Sequence, residues 1–163
     1  MWPERIEGLD GLRAMLVGAL TIDEDGPAFF GVRPGTVIAE APALLGRPKH
    51  SQLSPGQQQS LHYSAPLRPH AEDPNQLPVL RASLVAYNNV PLNTILIVET
   101  YGGYGRDHSI HYDFRQGLLT DLIAALGEPV RKTRRRGREA IHFETAGGSL
   151  SAWHSDHTYV ELK

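Results

Sequence analysis

Apolar residues recur at helical spacing in three segments of the chain. The clearest is RQGLLTDLIAALGEP, where Leu118, Leu122 and Leu126 share one side and the following Gly127 and Pro129 predict the end of the helix. RPGTVIAEAPALLGRP carries the same pattern in weaker form, and its internal proline is expected to kink or shorten the helix. A further helix is predicted in IEGLDGLRAMLVGAL, near the amino terminus.

Other segments alternate apolar and polar residues, which is typical of strands with one covered face. In IHFET, Ile141 and Phe143 alternate with His142 and Glu144, and in LHYSA the polar position is His62. We therefore expect an antiparallel sheet with helices on one face and a polar second face.

Large aromatic residues fall on the polar side of this alternation. The predicted free face collects His62, Tyr87, His142, Trp153 and Tyr159. Tryptophan and tyrosine are enriched at the centres of protein interfaces, so one hypothesis is a partner site. The alternatives are packing between neighbouring strands and a homodimer contact through the sheet face.

Four short blocks occur twice in the same order. ALLGRP, LHYSA, SLVAY and NTILIVE in the first half correspond to AALGEP, IHFET, SLSAW and HTYVELK in the second. The prediction is an α+β fold of two tandem helix-plus-three-stranded antiparallel repeats, sharing one sheet of six or so strands. Within a single domain, 1–163, the expected parts are an N-terminal helix and link 1–28, repeat 1 at 29–99 with a Pro-rich loop 66–80, a linker 100–109, and repeat 2 at 110–163.

A helix stopped by Gly-x-Pro and followed by a hairpin and further strands resembles the module of the BamE/SmpA outer-membrane lipoprotein family. Two such modules in tandem are similar to the architecture of the beta-lactamase inhibitory proteins. That resemblance implies a sheet whose open, concave face and hairpin loops engage an enzyme. The chain departs from both families in having no cysteine.

Composition narrows the function classes. The chain has 163 residues, of which 40% are hydrophobic and 21% charged, and its net charge is -2, so no general attraction to nucleic acid or an anionic membrane is expected. The absence of cysteine excludes disulfides, thiolate metal ligands and cysteine nucleophiles. The charged amino terminus is a poor signal peptide, which predicts a cytoplasmic protein without a membrane partner.

A basic run, RKTRRRGR at 131–138, is the strongest local charge feature. Its position in the repeat predicts a hairpin turn carrying Arg134, Arg135 and Arg136. The hypotheses are a solvated turn that protects a sheet edge, a contact for an acidic protein, and a phosphate-binding patch.

No catalytic or metal signature is found. His108 with His111, and His154 with His157, have the spacing of metal ligands on a helix, but these segments are predicted to be loop and strand and HExxH is missing. Phosphate-binding glycine loops and GxSxG are also missing from the sequence. The tyrosines of YGGYGRD, Tyr101 and Tyr104, are candidate contact residues on the link. Neither a cofactor nor a metal is expected.

The sequence therefore predicts a non-enzymatic protein-binding inhibitor. Its most concrete form is a bacterial, cytoplasmic immunity protein that neutralises a cognate toxin by occluding the toxin's active site. One alternative is a small-ligand-binding protein or enzyme that uses the open face, with His62, His142 and Glu144 inside it. The other is a nucleic-acid-associated protein acting through the basic hairpin 131–138.

Overall fold

The computed structural model describes residues 1–68, 79–86, 93–99, 108–135, 138–154 and 158–163. The helices are α1 (Gly8–Ala19), α2 (Ala41–Leu45), which follows a 3₁₀ turn at Ile38–Glu40, and α3 (His108–Leu126). The strands are β1 (Ile6–Glu7), β2 (Leu20–Asp23), β3 (Gly26–Phe29), β4 (His50–Gln52), β5 (Gln59–Arg68), β6 (Val79–Ala86), β7 (Asn93–Glu99), β8 (Arg131–Arg135), β9 (Arg138–Thr145), β10 (Gly148–His154) and β11 (Thr158–Leu162). The α+β class predicted from the sequence is confirmed.

The long helix α3 ends where the sequence predicts and begins earlier than expected. Gly127 follows its last turn with φ of 95°, and the Gly127 N–H donates to the Ile123 carbonyl at 2.9 Å. Glycine is favoured there because a side chain strains this left-handed conformation. The helix starts at His108, so the prediction of a loop around His108 and His111 is wrong for the backbone.

The two other helices are short, for reasons visible in their residues. In α1, Leu12, Leu16 and Ala19 are buried at helical spacing, and the chain then passes directly into β2. In α2, Pro42 lies in the first turn, where its missing N–H costs nothing, and the helix ends before Gly46. The shortening expected from the proline is thus observed.

The large sheet contains nine strands. Eight follow the order β1, β5, β6, β7, β11, β10, β9, β8, and β4 pairs with β5 beside β1. All pairs are antiparallel except β1 with β5. The sheet has more strands than the six or so predicted, because β1, β4 and β8 lack the apolar alternation from which strands were predicted. All three residues of β4 are exposed, and four of the five residues of β8 are basic.

A second, separate sheet is formed by the hairpin of β2 and β3, so the expectation of a single sheet is wrong. Arg33 fixes this hairpin: its guanidinium donates to both Asp23 carboxylate oxygens at 2.9 Å and to the Gly26 carbonyl at 2.7 Å. The hydrogen bond from Arg33 holds the pKa of Asp23 below its usual value. The hairpin turn meets the turn between β9 and β10, where a Cβ on Gly26 would lie 2.7 Å from the Gly147 carbonyl oxygen.

One hydrophobic core joins the helices to a single face of the large sheet. Leu16 of α1 and Leu122 of α3 are fully buried in it, together with alternate residues of β5, β6 and β9 to β11. An ion pair between Arg13 and Asp121, with 2.9 Å from Nε to Oδ2, connects α1 to α3 at the surface of this core. The described helices therefore lie on one side of the large sheet, opposite its second face.

The two predicted connections lie mostly outside the described residues. Of the Pro-rich loop 66–80, residues 66–68 complete β5 and residues 79–80 begin β6, while 69–78 are not described. Of the linker 100–109, residues 108–109 belong to α3 and 100–107 are not described.

Candidate partner-binding face

The large sheet presents a second face, opposite the core, which we call the open face. In β9 and β10 the inner residues Ile141, Phe143 and Leu150 are at most 4% exposed, whereas their neighbours along the strands are partly or fully exposed. The described open-face side chains of β5, β6 and β8 to β11 are Ser60, His62, Ser64, Pro66, Arg81, Ser83, Val85, Arg131, Thr133, Ala140, His142, Glu144, Ser149, Ser151, Trp153, Tyr159 and Glu161.

An aromatic pair occupies two interior strands of the open face. Trp153 of β10 lies directly opposite Tyr159 of β11, and their rings stack with centroids 5.2 Å apart and planes 11° apart. Both side chains are partly exposed. Stacking fixes the two rings relative to each other, so they present a stiff apolar surface that loses little side-chain entropy on binding.

Each half of the open face carries a histidine beside a serine on the next strand. His142 Nδ1 is 2.8 Å from Ser151 Oγ, and His62 Nδ1 is 3.1 Å from Ser83 Oγ. Five strand spacings separate the two histidines, which is about 24 Å along the sheet at the usual ~4.8 Å per strand. The structure therefore places His62 and His142 in different halves of the open face, separated by four strands.

Charged groups flank the aromatic pair on both sides. Arg131 lies opposite His142 in the β8–β9 ladder, and burial together with this cation lowers the pKa of His142 below its usual value. On the other side, Glu161 forms an ion pair with Lys163, with 3.3 Å between Oε1 and Nζ, and Glu144 is exposed near the end of β9. The open face thus has positive charge towards β8 and carboxylates towards the β9–β10 turn.

The basic run forms an edge strand more than a turn, which corrects the sequence interpretation. Residues 131–135 are β8, and only 136–137, outside the described residues, separate it from β9. Arg134 pairs with Glu139 in the ladder, on the helix side of the sheet, so it does not share a face with Trp153. The backbone of Arg135 belongs to β8, whereas Arg136 lies outside the described residues.

The remaining predicted contact residues cannot be assigned to this surface. Tyr87, Tyr101 and Tyr104 lie outside the described residues. The sequence placed Ser151 on the free face and Arg131 in the basic run, but it did not predict that both lie beside His142, where the structure has them. Their signal was the same period-two alternation, but the ladder register that brings them together depends on turn geometry.

In the described part of the chain, no group of three or more histidine, aspartate or glutamate side chains could hold a metal, and no helix is long and apolar enough to cross a membrane. His154 is buried at 6% exposure, with its Nδ1 3.1 Å from Thr158 Oγ1. Comparisons with protein-family models, with curated proteins and with solved structures find no match.

Proposed function

We propose that this chain is a non-enzymatic protein-binding inhibitor, and most concretely a cytoplasmic immunity protein that covers the active site of a cognate bacterial toxin with the open face. The observation that carries the proposal is the stacked, partly exposed pair of Trp153 and Tyr159. Rings of this kind contribute a large share of binding energy at protein interfaces, whereas a solvated sheet face has no need of them.

The charges around the pair support a protein as the occupant. Arg131 and Glu144 place both signs of charge at the margins of the apolar pair, and a protein surface can match such a pattern over several strands. Charges at the rim steer association and select the partner, while the central aromatic pair supplies affinity.

The same proposal includes a tandem origin for the large sheet, with four strands from each copy. From the β7–β11 contact outwards, the order is β7, β6, β5, β4 on one side and β11, β10, β9, β8 on the other. The edges match in detail: Lys49 and Val130 donate backbone N–H groups, at 2.8 Å each, to the carbonyls of His62 and His142. In the two ladders His62 pairs with His50 and His142 pairs with Arg131, the residues that directly follow Lys49 and Val130. Two residues of the outer strand thus lie opposite one histidine, an arrangement typical of a β-bulge.

The ladder register refines the correspondence between the two copies. Leu61 lies opposite Leu84, whereas Ile141 lies opposite Ala152 and not Leu150. Relative to the repeated sequence blocks, the matching strands are therefore shifted by two residues. A shift of two residues leaves every side chain on the same face of the sheet, so the assignment of residues to the open face does not change.

The test compares capture of proteins from the source cell by three forms of the chain. These are the wild type, the double variant Trp153→Ala with Tyr159→Ala, and a control with Val37→Ala and Leu44→Ala, exposed apolar residues in and beside α2 and not on the open face. A binding aromatic is worth on the order of 2 kcal/mol, or roughly thirtyfold in affinity, so the aromatic variant should lose the partner and the control should keep it.

Two results would contradict the proposal. One is equal capture of the same partners by all three forms. The other is a wild-type chain that sediments as a dimer and becomes a monomer only in the aromatic variant, because the open face would then be a contact between two copies.

A further inference from the structure

The second notable surface is the outer edge of the large sheet formed by β8. This strand pairs with β9 on one side only and ends the strand order. Every second residue of an edge strand directs its backbone N–H and C=O away from the sheet, where they can bond to another strand. In β8 the side chains of Arg131, Lys132, Thr133 and Arg134 are all exposed.

The charge of this edge is largely uncompensated. Lys132 lies 3.7 Å from Glu128 and Arg134 lies 3.9 Å from Glu139, long separations between exposed groups that stabilise little in water. Among the described residues, no carboxylate forms an ion pair with Arg131. The positive potential also reaches the open face, since Arg131 contributes to lowering the pKa of His142.

The opposite edge of the sheet shows that protection from aggregation does not require such a strand. There β4 has three residues, none of them lysine, arginine or an acid, and β1 pairs with the last two residues of β5. The short strand β4 and the pairing of β1 with β5 protect that edge from pairing with another chain. By contrast, β8 is longer and concentrates cations on both of its faces.

We propose that β8 accepts an extended acidic segment of a partner protein as an additional strand. Backbone hydrogen bonds give such strand addition its affinity, and side chains on alternate positions give it selectivity. An acidic strand would bring carboxylates against Arg131 on the open face and against Lys132 and Arg134 on the helix face. A second copy of β8 fits poorly, because like charges would lie directly opposite each other.

This inference rests on the proposed function, since it names the chemistry of part of the partner, but its test is separate. The probe is a short fluorescent peptide in which pairs of glutamates alternate with pairs of valines, so that an added strand carries glutamate on both faces; it is titrated into the full chain and followed by anisotropy. The double variant Lys132→Glu with Arg134→Glu should weaken binding by about tenfold or more. A control with Arg47→Glu and Lys49→Glu, exposed residues before β4, makes the same charge change at the other edge and should bind as the wild type does.

A second peptide separates strand addition from charge attraction without changing the protein. It has the same sequence but an N-methyl group on every amide, so it keeps the charge and cannot donate backbone hydrogen bonds. Strand addition predicts binding of the first peptide only, with slowed hydrogen exchange of β8 amides in NMR spectra. Equal binding of both peptides, no binding at millimolar concentration, or tighter binding of a single-stranded oligonucleotide would each overturn the proposal.

The peptide experiment and the capture experiment fail independently. Loss of peptide binding with capture through Trp153 and Tyr159 intact would reject strand addition and leave the open-face proposal standing. Peptide binding confined to β8, with capture insensitive to the aromatic variant, would place the partner on the edge and reject the open-face site.

Discussion

Replacing Gly147 by alanine should weaken the contact between the two sheets. A Cβ at this position would run into the backbone carbonyl group of Asp25 and would lie 2.6 Å from the Gly26 nitrogen. All of these atoms belong to backbone, so relief requires movement of the β2–β3 turn and not a change of rotamer. Overpacking of this kind costs about 1–3 kcal/mol.

A matched control is Gly18→Ala in α1. A Cβ on Gly18 meets no atom within 4 Å, and the position is exposed in a helix. Alanine there should raise the free energy of unfolding by roughly 0.5–1 kcal/mol, because glycine loses more backbone freedom on folding. The same substitution is thus expected to have opposite signs at the two glycines.

Urea denaturation, followed by tryptophan fluorescence in a Trp153→Phe background, measures both effects. The remaining Trp2 contacts Phe29 of β3, with ring centroids 6.1 Å apart, so its emission reports the docking of the small hairpin. A Gly147→Ala variant as stable as the parent would refute the close contact between the turns. A loss of unfolding free energy no larger than that caused by substituting an exposed residue elsewhere in the chain would refute this contact as well.

Three further predictions concern the core and the open face. Tyr63→Phe should cost about 0.5–1.5 kcal/mol in urea denaturation, because the hydroxyl donates to the Gly46 carbonyl at 2.9 Å; no loss would argue against that bond. Leu122→Ala should cost about 2–5 kcal/mol, since the side chain is fully buried, and a smaller loss would mean that α3 packs loosely. The pKa of His142 is lowered in the native state, so folding favours the neutral ring. The resulting contribution to the free energy of unfolding is present above the usual pKa of 6.5 and is lost as the pH falls through the lowered native pKa. His142→Gln should remove this part of the pH dependence of unfolding, and an unchanged profile would contradict the lowered native pKa of His142.

Alternation in the sequence was sufficient to place the inner and outer residues of the long strands. Leu61 and Ile141 are buried, while His62 and Glu144 are exposed, as the pattern predicts. The end of α3 was also predictable, because glycine followed closely by proline has a direct stereochemical meaning. These features depend on local chemistry, which the sequence carries in full.

The missed elements lack such a local signal. The strand β8 consists mostly of arginine and lysine, so hydrophobic alternation could not reveal it, and its strand form depends on pairing with β9. The stacking of Trp153 on Tyr159 likewise depends on the register between β10 and β11. Register is a property of two segments and their turn, and for that reason the sequence predicted the face of each ring but not their contact.

Whether the stacked pair on the open face binds a protein partner is tested most directly by one affinity measurement. The partner captured by the wild-type chain, once purified, is titrated against the wild type and against the variant Trp153→Ala with Tyr159→Ala. We predict a loss of roughly thirtyfold or more in affinity, as expected for removing central aromatic contacts. Equal affinity of the two forms, with the variant shown to be folded, would contradict the assignment of the open face as the binding site.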